Sequence, residues 1–162
     1  LYNRSNLALQ ENENQELCPF EMNKHYRREQ ITSAIGSDQE IVGIFWGNKY
    51  PGKVVCTAGG AKGKKFDYED RELEDGSWFY YGQGTKGDQV WKLANEKVRD
   101  NEVLLFKTHS ASSNEKAQGI SKNWYEFKGC YYCTTWEYYV PDSGEREGDR
   151  MIRFHLAKNS KY

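Results

Sequence analysis

Residues 67–88 read Asp-Tyr-Glu-Asp-Arg-Glu-Leu-Glu-Asp-Gly-Ser-Trp-Phe-Tyr-Tyr-Gly-Gln-Gly-Thr-Lys-Gly-Asp, and acids, rings and glycines share this one stretch. Asp67, Glu69, Asp70, Glu72, Glu74 and Asp75 crowd its first half. Trp78, Phe79, Tyr80 and Tyr81 then follow without a break, and Gly82, Gly84 and Gly87 come after them. A plain core strand does not carry so many charges, and a disordered acidic tail does not carry so many rings. Two readings remain. One is an acidic turn entering an aromatic strand. The other is a pocket, with rings to sandwich a planar group, a carboxylate to bond its edge and glycines for close backbone approach.

The rest of the chain frames that segment as part of one folded domain. At 162 residues it is long enough for a real core, and 15% aromatic residues exclude disorder despite the polar average. No apolar run approaches the ~20 residues that span a bilayer, and no signal-peptide pattern opens the chain. A cytoplasmic or nuclear rather than secreted protein is expected, with no membrane partner. The first residue is Leu1, which reads as an excised domain. Residues 1–22 are polar and rich in Asn and Glu, an extension or linker, and residues 23–162 form the domain.

Hydrophobic periodicity and turn chemistry give the elements. Residues 23–35 suit a helix with Tyr26, Ile31, Ala34 and Ile35 toward the core. Strands are expected at 41–46, 54–58, 77–81, 103–107, 124–128, 131–140 and 151–156. A second helix is expected over 88–99, with Asp88 at its positive end. Residues 47–52 and 142–149 read as turns, and 108–123 as a long Ser/Asn/Lys-rich loop, a kind that is usually functional or mobile. Many strands, two helices and no βαβ alternation argue for an α+β fold, a closed or half-closed sheet with flanking helices.

A net charge of −1 argues against a general nucleic-acid scavenger. Local clusters matter more than the sum. Lys24, Arg27 and Arg28 form one basic group, and Lys62, Lys64 and Lys65 form another in a glycine-rich stretch. Lys86, Lys116, Lys122 and Lys128 add further cations. A Gly-Lys loop can follow a phosphate backbone with both ammonium groups and unhindered N–H donors, or it can be an ordinary solvated surface.

Other chemistry is poorly supported. Cys130 and Cys133 form a Cys-x-x-Cys, but in a strand, where residues three apart face opposite sides, so reduced structural thiols are favoured over zinc. His25, His109 and His155 lie far apart with no nucleophile motif, and His155 reads as a surface or satisfied core histidine. No P-loop, Gly-x-Ser-x-Gly, His-Glu-x-x-His or HNH constellation occurs. The acidic run Asp67 to Asp75 leaves a small metal-dependent nuclease open as an alternative.

Tyr68-Glu69-Asp70, Asp75-Gly76, Phe79-Tyr80-Tyr81-Gly82-Gln83-Gly84 and Gly87-Asp88 together resemble the signature of the SRA (SET and RING associated) domain family, whose members flip a modified cytosine out of DNA. The likeness extends to His25-Tyr26-Arg27-Arg28-Glu29, Ile35-Gly36, Gly43-Ile44, Leu93-Ala94-Asn95, Val98-Arg99-Asp100, Leu104-Leu105-Phe106, Tyr125 to Gly129 and Arg153-Phe154-His155-Leu156. It covers about residues 25–157 and is nearest to SRA-like domains linked to bacterial HNH nucleases.

The resemblance implies a PUA-like twisted β-barrel with flanking helices. It implies a module that recognises 5-methylcytosine or 5-hydroxymethylcytosine in double-stranded DNA by base flipping, without being an enzyme and without a cofactor or metal. The cleaving nuclease would be a further domain of the same polypeptide, and a homodimer is one arrangement open to it. Tyr68 and Tyr80 are the implied sandwiching rings. Asp70, with Asp75 as its rival, is the carboxylate for the exocyclic amine, a natural pairing. Backbone around Tyr81 and Gly82 contacts the rest of the edge. Tyr81 stands where threonine is common, which could narrow the pocket. Arg27, Arg28, Lys62, Lys64, Lys65, Lys86 and Lys122 are the candidates for the DNA backbone. The stretch from Gly82 to Asp88 is too short for the groove-entering insert of eukaryotic members, so the turn 47–53 or the loop 108–123 would fill the space a flipped base leaves. A PUA-like reader of N6-methyladenine or modified RNA is the nearest rival.

Overall fold

Val103-Leu104-Leu105-Phe106 is buried at every position, and a strand buried on both faces organises the fold. In the computed structural model, which describes residues 18–38, 42–59, 69–82, 93–120 and 122–159, these residues lie in the middle of one sheet. Its strands are β1 (His25–Tyr26), β2 (Ile44–Phe45), β3 (Lys53–Ala58), β4 (Arg71–Glu72), β5 (Trp78–Tyr81), β6 (Glu102–His109), β7 (Trp124–Tyr139) and β8 (Met151–Lys158). Helices α1 (Arg28–Ile35), α2 (Leu93–Asp100) and α3 (Ser113–Ala117) complete the described elements. The strand order is β2-β3-β6-β7-β8-β5-β4, with β1 added on β7.

Alternation along β3 and β6 sorts side chains into two cores. Val54, Cys56, Ala58, Val103 and Leu105 face one way, with Ile44, Trp78, Tyr80, Tyr131, Ile152, Phe154, Leu156 and Val98 of α2. Val55, Leu104 and Phe106 face the other way and meet Phe20, Tyr26, Phe45, Phe127 and Cys130, with Ile31 and Ile35 of α1. Phe20 falls in the stretch read as an extension. It is 7% exposed, and its ring meets those of Tyr26 and Phe106 edge-on at 5.2 and 5.0 Å.

The first core draws residues from both ends of the sheet, so the sheet curls strongly. Tyr80 of β5 donates its hydroxyl to Gly43 O and Thr57 O, each at 3.3 Å, although β5 and β3 share no ladder. The expected twisted barrel is therefore a curled, half-closed sheet with helices on its faces, joined across its seam by side chains.

Local structure departs from expectation at definite places. The helix expected from 23 begins at Arg28, because His25 and Tyr26 pair with Glu126 and Tyr125 of β7. Gln30 accepts from the Arg27 backbone N–H at 2.7 Å and caps the shortened helix. The second helix is described from Leu93, and its expected start at Asp88 lies outside the described residues. The 108–123 loop contains α3, closed by a capping box in which Glu115 N–H donates to Ser112 Oγ at 3.1 Å. The two strands expected at 124–128 and 131–140 are one, β7, which bends where Leu105 pairs with Gly129 but Phe106 pairs with Phe127. Gly129 sits at φ +120° there. The β3–β6 pair is parallel, the only parallel pair among the described strands.

Gly47 lies against the end of α1, where a Cβ would stand 2.1 Å from Ile35 O and 2.7 Å from Gly36 C. Backbone cannot yield there as a side chain would. Gly47→Ala is expected to cost about 1–3 kcal/mol, the range for forced overpacking, in urea denaturation, whereas Gly43→Ala, which meets nothing nearer than 3.6 Å, costs less. Equal stability of the two variants would refute the close approach.

Candidate functional site

Asp70 lies just before β4, and its carboxylate spans the seam of the curled sheet. Oδ1 accepts from Tyr81 N–H at the end of β5, at 2.8 Å, and Oδ2 accepts from Gly59 N–H just past β3, at 3.2 Å. Two such bonds favour the charged form, yet burial outweighs them and pushes the carboxyl up to about 7, with Glu69's charge adding to the rise. Each oxygen still has a lone pair to offer. Cys56 lies close by. Burial drives its thiol well above the ordinary range, Asp70's charge adds to this, and a hydrogen bond with Tyr80 opposes it. Buried Cys56 and Tyr80 thus meet beside the Gly43 and Thr57 carbonyls, with the half-buried Asp70 carboxylate near enough for its charge to act on Cys56.

Strand alternation divides the aromatic run. Trp78 and Tyr80 point into the core, each 3% exposed. Tyr81 points the other way, its ring 6.1 Å from that of Tyr139 and its hydroxyl bonded to Arg153. Only its backbone N–H belongs to the site, so its ring does not narrow a pocket beside Tyr80. Gly82 N–H donates to Ile152 O at 3.0 Å, and a Cβ here would meet Ile152 at 2.2 Å and Asn95 Oδ1 at 2.8 Å. Packing against β8 and α2 accounts for this glycine without a ligand.

The two rival carboxylates are separated. Asp75 is exposed and turns back on its own loop, accepting from Ser77 N–H at 3.0 Å and from the Ser77 hydroxyl, which hold its carboxyl below the usual range. Ser77 also meets His155 Nε2 at 3.2 Å, and His155 Nδ1 lies 2.6 Å from Thr134 Oγ1, so the satisfied-histidine reading of His155 describes it well. Tyr68, Lys62, Lys64, Lys65 and Lys86 lie outside the described residues.

The described basic candidates are engaged within the protein. Arg27 lies 3.3 Å over the Trp124 ring, donates to Lys122 O at 2.8 Å and pairs with Glu115 at 2.9 Å. Glu115 also accepts from Trp124 Nε1 at 3.1 Å, so this cluster braces the 108–123 segment. Arg28 stacks 4.0 Å over Phe45 and donates to Val42 O. Lys122 pairs with Glu29 at 2.8 Å but keeps three-quarters of its side chain exposed. Of these three, Lys122 alone combines charge with broad exposure.

The cysteines do not converge on a metal. Cys130 donates to Cys18 Sγ at 3.9 Å, and Cys133 reaches Thr135 O at 3.3 Å. The acidic run contributes no group of three metal ligands among the described residues. Sequence reasoning missed Cys56, Gly59 and Gly43, which join the site through the curl of the sheet and carry no local signal.

No family model matches the chain, and no curated protein does. Solved structures do match its fold. One is KRYPTONITE in complex with mCHG DNA and SAH, at 15% identity and TM-score 0.58, covering 98% of this chain and 39% of that one. The modification-dependent TagI restriction endonuclease matches at 16% identity and TM-score 0.57, over 89% of this chain and 51% of its own. The phosphorothioation-dependent restriction endonuclease ScoMcrA matches at 19% identity and TM-score 0.56, over 86% and 28%. The chain spans about half the length of these proteins or less. At these identities the likeness is one of architecture, and the architecture is the SRA fold that the sequence resembles.

Proposed function

We propose that this chain reads a modified cytosine in duplex DNA by drawing the base out of the stack, and that it serves as the specificity module of a modification-dependent restriction nuclease whose cleaving domain lies elsewhere in the polypeptide. The observation that carries the reading is Asp70: a half-buried carboxylate, positioned by two backbone N–H groups, with acceptor capacity left over, one residue from the attachment point of an inward-facing tyrosine. Support comes from the shared fold, since one protein of that fold is bound to mCHG DNA and another is a modification-dependent endonuclease.

The chemistry is that of a base pulled from its helix. Extrusion costs a few kcal/mol of pairing and stacking. Stacking on aromatic rings offsets about 1–3 kcal/mol per base, and hydrogen bonds supply the rest. On this reading Tyr80 and Tyr68 flank the base, and Asp70 accepts from its exocyclic amine. Tyr80 is 3% exposed in the free protein, so an entering base displaces what covers that ring. Lys122 is the described candidate for a phosphate contact. The small-nuclease alternative loses ground, because Asp75 is committed to its turn and the acidic run gathers no three-ligand group among the described residues.

Binding to matched duplexes carrying cytosine, 5-methylcytosine, 5-hydroxymethylcytosine, N6-methyladenine or a phosphorothioate linkage, at one stated salt concentration, tests the reading. A modified cytosine is expected to bind best, and Tyr68→Ala and Asp70→Ala are each expected to remove that preference. Tyr80→Phe keeps the ring and the preference, and costs about 0.5–1.5 kcal/mol of stability for its lost hydrogen bonds. Equal binding to all duplexes, unchanged by Tyr68→Ala and Asp70→Ala, would overturn it. Cleavage by this chain with magnesium would favour the nuclease.

The pH dependence of stability tests the desolvation of Asp70 separately. Its carboxyl titrates at about 7 when folded, against an ordinary 3.8. Between those values the folded state holds a proton that the unfolded state has lost, so this group lowers stability progressively as pH rises from 3.8 to about 7 and by a constant amount above. The Tm of the wild type minus that of Asp70→Asn should fall across that window and then level. A difference independent of pH would show that the carboxyl is not desolvated.

A further inference from the structure

His25, Glu126 and His109 are distant in sequence but neighbours on three adjacent strands. His25 of β1 is paired in register with Glu126 of β7, and Glu126 with Lys107 of β6, two residues before His109. The three side chains share the face opposite Tyr26, Phe106 and Phe127. His109 Nε2 lies 2.8 Å from Glu126 Oε1, and His25 Nε2 lies 4.0 Å from the same oxygen. The imidazoles stack with centroids 5.0 Å apart and planes 18° off parallel. One ligand atom from each residue falls within 4.8 Å of the other two, the only such trio of His, Cys, Asp or Glu among the described residues.

We propose that His25, His109 and Glu126 form a binding site for a zinc-class divalent cation, with three protein ligands and a fourth position toward solvent. Two imidazoles and one carboxylate are a donor set that zinc takes in open sites, whereas magnesium and calcium want oxygen. Zinc bonds of about 2.0–2.2 Å put tetrahedral ligand atoms roughly 3.3 Å apart. The observed 2.8 and 4.0 Å bracket that spacing, and the half-exposed His25 ring is free to close the difference. Lys128 Nζ stands 3.6 Å from the other oxygen, Oε2, and leaves Oε1 to the ion. Backbone ladders hold all three ligand-bearing residues, so little ordering is left to do on binding. The ion would staple β1, only two residues long, to the centre of the sheet, and with it the entry to α1. This site is independent of the proposed DNA reading.

The test is zinc titration of the full chain without an affinity tag, by calorimetry and thermal melting, with cobalt absorption as a spectroscopic readout. One equivalent of zinc should bind and raise Tm, a chelator should reverse the rise, and magnesium should give none. His109→Ala and Glu126→Gln should each weaken binding by more than the roughly 10–100-fold that loss of even an outer partner costs. His25→Ala, at an exposed position, covers the case in which a variant at 109 or 126 fails to fold. Cys18→Ser should bind as the wild type does. Absence of zinc binding, binding untouched by His25→Ala, or binding lost in Cys18→Ser would each overturn the site.

Discussion

A sheet that curls until strands near its two edges approach, without a ladder to join them, must satisfy polar groups at the seam by other means. Here β5 approaches β3, and the join is made by the Tyr80 hydroxyl on the Gly43 and Thr57 carbonyls and by the Asp70 carboxylate on the Gly59 and Tyr81 amides. A carboxylate that accepts from amides on both sides links the two strands where no ladder does, and so favours the closure even though burial penalises its charge. The inner core, drawn from β2, β3, β5, β6, β7, β8 and α2, lies inside that closure.

The same constraint sets the chemistry of the seam. A carboxylate held by one amide on each side of the seam has little freedom to turn, and burial raises its proton affinity. Fixed position, low polarity and spare lone pairs favour recognition of a flat donor edge, since little ordering remains when such a ligand arrives. Asp75, five residues on, has the same side chain and none of these properties, because its turn faces water. Composition alone does not separate them. Their distance from the seam does.

What could be read from residues alone follows this division between local and long-range causes. The buried run at 103–106, the strand at 78–81 and the turn at 47–52 have signals within a few residues, and the structure has them. The capping box of Ser112 and Glu115 is equally local, but it sits in a stretch whose Ser/Asn/Lys composition reads as loop. Features made by pairing were not legible. His25 and Tyr26 have a helical neighbourhood in sequence, but β7 offers them a ladder. The bulge at Gly129 lets one strand serve two partners where the pattern suggested two strands. The seam partners Gly43, Cys56 and Gly59, and the trio of His25, His109 and Glu126, come together only through sheet order and register.

Charge is the other place where sequence and structure part. Arg27 and Arg28 look like a basic patch, but a guanidinium is planar, weakly hydrated and well suited to stacking on rings and bonding carbonyls. Trp124, Phe45, Glu115 and the Val42 and Lys122 carbonyls give both arginines such partners. Their contribution is to lock α1 and the 108–123 segment onto the sheet. That lock braces a stretch with a loop's composition and holds Lys122 beside it, with three-quarters of its side chain exposed. A braced segment presents Lys122 to a partner without first losing the conformational entropy that a mobile loop of the same composition would lose.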